Sequence, residues 1–128
     1  MRSILLFSGL LLAATAIAQE FTPLGEQQGV SIAYRWNHPK KGPSELLLKV
    51  HNPGDTARTV HAVLDLQLDG FTNEMFTADL CVPPGRALRG KFNGVYFVPQ
   101  EVTTEQIRSG ATRIELSTYT ATVVPSCP

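Results

Sequence analysis

Residues 49–70 read KVHNPGDTARTVHAVLDLQLDG, and this stretch decides the fold. From Val60 onward the apolar residues take every second place: Val60, Ala62, Leu64, Leu66 and Leu68. His61, Val63, Asp65, Gln67 and Asp69 take the others. Successive side chains of a strand point to opposite faces, so this is a long strand with one face in a core. A slip of one residue would turn the whole leucine row to water, so the register is fixed. Before it, Asn52-Pro53-Gly54-Asp55 is a bend. After it, Asp69-Gly70 is a strand end followed by a turn.

Period-two patterns continue on both sides. SIAYRW sets Ile32, Tyr34 and Trp36 against Ser31, Ala33 and Arg35. ELLLKV sets Leu46, Leu48 and Val50 against Leu47, Lys49 and His51. MFTADLCV sets Phe76, Ala78, Leu80 and Val82 against Thr77, Asp79 and Cys81. RALRGKFNGVYFV carries Leu88 and Phe92, with Gly90 and Gly94 marking bends or bulges. In TRIELSTYTATVV the apolar emphasis changes face, from Ile114 and Leu116 to Tyr119, Ala121 and Val123, which predicts a bulge or a strand packed in two places. One segment is helical by its signals: Thr103 as N-cap, Gln106 as capping-box partner and Gly110 as the stop.

These elements predict an all-β fold, an immunoglobulin-like antiparallel β-sandwich of six to seven strands with one short helical turn near 103–109. Residues 30–128 form the domain. Residues 19–29 form an N-terminal arm, flexible or hugging a sheet edge.

Residues 1–18 have the form of a secretory signal peptide. Arg2 supplies the charged start, residues 4–14 the apolar stretch, and Ala16-Ile17-Ala18 the cleavage site. The apolar run is shorter than the roughly 20 residues that span a bilayer. The expected location is periplasmic or extracellular, with no membrane span after cleavage. Eleven basic residues balance eleven acidic ones. A chain without a basic stripe is a poor partner for nucleic acid or an anionic membrane surface. Cys81 and Cys127 both lie in the exported part, where two cysteines form a disulfide. Closing a loop of about 46 residues contributes on the order of 4 kcal/mol.

The run LLLKVHNPGDTARTVHAVLDLQLDG, followed by CVPPGRALRGKF, resembles the layout of small bacterial exported immunoglobulin-like domains. In these a strand ends in Asn plus a small residue, a long alternating strand follows, and a Pro-Gly turn precedes the next. The resemblance covers residues 45–92. It implies a fold and carries no activity. The tryptophan and cysteine spacing of antibody-type domains is absent: Trp36 precedes both cysteines.

Candidate chemistry is sparse. His51 and His61 flank the bend. If their strands are antiparallel neighbours the two imidazoles stand about 5 Å apart, and with Asp65 they make a ligand set for Zn or Cu. Asp65 and Asp69 are about 13 Å apart along one face, too far to share one cation or one glycosidic bond; Asp79 is a third carboxylate. Ser31, Ser44, Ser109, Ser117 and Ser126 lie in no Gly-x-Ser-x-Gly elbow. A His-Asp-Ser set assembled only in space remains open. For binding, the candidates are Trp36 and Tyr96 as aromatic platforms and Lys40 and Lys41 in the loop of residues 37–43. No motif implies a cofactor.

Three functions fit. The first is a non-enzymatic binding or interaction module for a protein or glycan partner. The second is a small metal-binding protein or hydrolase using His51 and His61. The third is a structural subunit of an envelope assembly, completed by a neighbour's strand.

Overall fold

The computed structural model describes residues 20–128. The predicted signal peptide lies outside them. In chain order the elements are β1 (Thr22–Gln27), β2 (Val30–Asn37), β3 (Glu45–His51), β4 (Ala57–Leu68), β5 (Phe71–Val82), β6 (Ala87–Arg89), a 3-10 turn (Lys91–Asn93), β7 (Tyr96–Phe97), α1 (Thr104–Arg108) and β8 (Thr112–Val124). They build two antiparallel sheets. One has the order β1-β2-β3-β6, with β7 also on β3. The other has the order β5-β4-β8. The fold is an all-β sandwich, as the alternation predicts. Its eight strands exceed the predicted six or seven because the arm supplies β1 and because β6 and β7 are very short.

The core lies between the sheets. Val60, Ala62, Leu64 and Leu66 of β4 are at most 1 % exposed and face Ile32, Leu46, Leu48 and Val50 of the other sheet. Full burial of each such Val, Leu or Ile contributes about 1.5–3 kcal/mol. Phe76 of β5 and Phe97 of β7 close one side, their rings stacked with centroids 4.9 Å apart.

The turns follow local chemistry. Asp69 and Gly70 both adopt positive φ, 52° and 84°, between β4 and β5. Asp-Gly is a preferred pair for such a two-residue hairpin, because its twist matches that of the strands. In β8, Leu64 pairs with Leu116 while Val63 pairs with Thr118, so Ser117 is the bulged residue. Its hydroxyl donates to the Val63 carbonyl at 3.2 Å. The bulge explains the change of apolar face along this strand. α1 carries the predicted capping box between Thr103 and Gln106.

The bend after β3 does not fold the chain back onto its own sheet. It carries the chain across the sandwich, since β3 and β4 lie in different sheets. Asn52 at its start is 2 % exposed. Its amide nitrogen donates to the carbonyls of Thr56 at 2.8 Å, Val82 at 3.1 Å and Pro83 at 3.4 Å. Its side-chain oxygen accepts from the Gly54 amide at 3.2 Å. One polar side chain thus ties the crossing to the end of β5.

The Cys81–Cys127 disulfide is present, with Cα atoms 5.5 Å apart. It fastens the segment after β8 to β5. Among the described residues no helix is long and apolar enough to cross a membrane.

Candidate functional site

The two histidines of the opening stretch are not neighbours. His51 stands opposite Ser31 and Ala87 in the five-stranded sheet. His61 stands opposite Asp79 and Thr120 in the three-stranded one. Val50 and Val60 beside them point inward and are buried. The histidines therefore occupy opposite outer faces of the sandwich. The cross-strand pairing on which a shared metal depended is corrected: the bend changes sheet, and the core separates the imidazoles. Among the described residues no three His, Cys, Asp or Glu side chains are grouped to hold a metal ion.

His61 has another partner. Its Nδ1 lies 2.5 Å from the Asp79 carboxylate on the adjacent strand. Thr120 flanks it on the other side, so hydroxyl, imidazole and carboxylate stand in one row across three strands. The row resembles a nucleophile–base–acid order, but it lies on an open strand face, with Asp79 69 % exposed. Asp65, on the same face, stands opposite Met75 and Glu115. Asp69 belongs to the hairpin turn.

The third histidine forms a second polar cluster. His38 Nδ1 is 2.7 Å from the Ser44 hydroxyl. The Ser44 hydroxyl and amide both donate to Thr104 Oγ1 at 3.1 Å. Ser44 is 1 % exposed, so its oxygen cannot meet a substrate. The cluster clamps the β2–β3 loop to the first residue of α1. Sequence offered no signal for it, because Ser44 and Thr104 are 60 positions apart.

Burial, with the Arg108 charge adding to it, holds the His38 imidazole below its ordinary pKa. The folded state thus favours neutral His38. Stability from this group is fully present above the unfolded pKa, near 6.5, and is lost as pH falls below it. The urea midpoint is expected to drop between pH 7.5 and 5.5, and His38→Gln to flatten that drop. A variant with the wild-type pH profile would remove His38 as the cause.

The outer face of the five-stranded sheet is different in kind. β2, β3 and β6 present Arg35, Lys49 and Arg89 on it, with Lys49 directly opposite Arg89. Tyr96 of β7 stands opposite Leu47. The Lys91 ammonium lies 5.5 Å from the centre of the Tyr96 ring and 2.7 Å from Glu45. The Arg35 guanidinium lies 5.1 Å from the centre of the Phe21 ring. Cations over aromatic faces are attracted by the ring quadrupole. Glu45 is the one carboxylate on these four strands. The hydrogen bond from Lys91 holds its carboxyl below the usual range, against the effect of burial, with Asn37 helping at 2.8 Å. Glu45 in turn raises the Lys91 ammonium pKa. On the 3-10 turn, Phe92 is 95 % exposed and borders an open depression of about 450 Å³ with Arg86, Leu88 and Arg89.

Of the predicted binding residues, Tyr96 belongs to this cationic face. Lys40 and Lys41 are exposed in the β2–β3 loop. Trp36 is half-buried and packs against the core. Sequence reasoning passed over Arg35, Lys49, Arg89 and Lys91, because strand pairing alone gathers them. It also passed over Glu74, whose carboxylate accepts from the amides of Gln100 at 2.6 Å and Val102 at 3.0 Å and fixes the loop after β7. No family model, no curated protein and no solved structure matches this chain.

Proposed function

We propose that the chain is an exported, non-enzymatic binding module of immunoglobulin-like fold, and that it holds an acidic polymer on the outer face of its five-stranded sheet. The observation that carries this reading is the separation of charge between the two outer faces. One presents Arg35, Lys49, Arg89 and Lys91 with two carboxylates, Glu45 among them and Glu26 on the edge strand β1, and with Tyr96 beside Lys91. The other presents Asp65, Asp79 and Glu115 with Arg113. The net charge of zero conceals this polarity. A cationic face bordered by aromatic rings suits carboxylated sugars, which offer anions and apolar ring faces together.

Strand order supports the immunoglobulin-like part. β3 pairs with β6 in one sheet and β4 pairs with β8 in the other, so consecutive strands interlock across the sandwich as in immunoglobulin domains. The disulfide supports an oxidising compartment outside the cytosol.

Calorimetry with polygalacturonate at low salt tests the ligand. Binding is expected, weakening as salt rises, and Lys49→Gln/Arg89→Gln is expected to reduce affinity by about tenfold or more. Equal binding of a neutral polysaccharide, or undiminished binding by the double variant, would overturn the reading.

A further inference from the structure

β8 ends the three-stranded sheet, and it pairs with β4 alone. Among the described residues no other backbone hydrogen bond reaches residues 118–124. Past the Ser117 bulge this edge, unpaired in its backbone although β1 packs beside β8 and the Tyr119 hydroxyl donates to the Val30 carbonyl at 2.7 Å, reads Thr118-Tyr119-Thr120-Ala121-Thr122-Val123-Val124. It holds no charge, no proline and no glycine. Soluble sheets protect their edges with charges, prolines, bulges or very short strands, and this segment uses none of them. The other edges are protected. β5 carries Glu74 and Asp79, and Glu74 holds the loop after β7. β1 carries Pro23 and an irregular register. β6 and β7 have three and two residues.

Thr118, Thr120 and Thr122 point outward and are exposed, while Tyr119 and Ala121 stand opposite the inward residues Ala62 and Val60. We propose that this edge pairs antiparallel with the same edge of a second copy, about a two-fold axis at Thr120, giving one six-stranded sheet across a dimer. The segment is complementary to itself in that register. Thr120 meets the second copy's Thr120, and each Thr118 meets a Thr122. Threonine–threonine pairs across strands are favourable. On the inner face each Tyr119 meets the smaller Ala121. No like charges are brought together, and an isologous contact of this kind closes at two copies.

The experiment is sedimentation equilibrium on the chain expressed in full and purified as the cell processes it. A monomer–dimer equilibrium is expected. Thr120→Lys sets two ammonium groups face to face across the axis and is expected to weaken the dimer by on the order of tenfold or more. Thr120 is exposed, so the variant keeps its fold, which circular dichroism and the urea midpoint verify. Thr77→Lys, on the outward face of β5, is expected to leave the dimer intact. A wild type that stays monomeric at millimolar concentration overturns the proposal. So does a dimer that survives Thr120→Lys, whether or not Thr77→Lys breaks it.

Discussion

Replacing Asn52 by alanine is expected to lower the unfolding free energy by about 3 kcal/mol. The amide of Asn52 holds three carbonyls and its oxygen holds one backbone amide, all at the place where the chain leaves one sheet for the other. Alanine removes every one of these bonds, and the Val82 carbonyl, bonded to Asn52 in a buried setting, gains nothing in return. A buried polar group without a partner costs about 1–3 kcal/mol. Asn52→Asp is the sharper variant. It keeps the shape but sets an acceptor against the carbonyls of Thr56, Val82 and Pro83, so its loss is expected to match or exceed that of alanine. Urea unfolding with an unchanged slope measures both. A loss below about 1 kcal/mol for Asn52→Ala would show that the crossing is held by the flanking core alone.

Removing the disulfide is expected to cost about 4 kcal/mol, because its 46-residue separation encloses a large loop of the unfolded chain. The Cys81→Ser/Cys127→Ser variant and the reduced wild type are expected to lose the same amount. The segment after β8 is then tied to β5 by nothing else covalent, and proteolysis at residues 125–128 is expected to quicken. A reduced protein with the stability of the oxidised one would show that the unfolded chain keeps those ends together without the bond.

Asn52 also shows where the sequence stops informing. Its place in Asn-Pro-Gly-Asp announces a bend, and a bend is what forms. Whether the bend reverses the chain within a sheet or passes it to another depends on how Val50 and Val60 are buried together, each at most 1 % exposed. Both outcomes have the same local signature. The His51–His61 pairing rested on the first outcome, and the protein takes the second.

The sequence by itself determined whatever depends on neighbours along the chain. The period-two rows of β2 to β5 set strand faces, because alternation is a property of the extended backbone. Asp69-Gly70 set the hairpin, Thr103 and Gln106 capped α1, and the face change in β8 marked the bulge at Ser117. Two cysteines left one internal pairing. Tertiary structure alone decided what lies side by side across sheets and loops. It gathered Arg35, Lys49, Arg89 and Lys91 on one face of a neutral chain, set Asp79 beside His61, joined Ser44 to Thr104, and left the uncharged edge of β8 open. The physical reason is that charge and hydrogen bonding act over a few ångströms of space. Folding brings residues 18 to 60 positions apart within that range, and no local pattern records which ones.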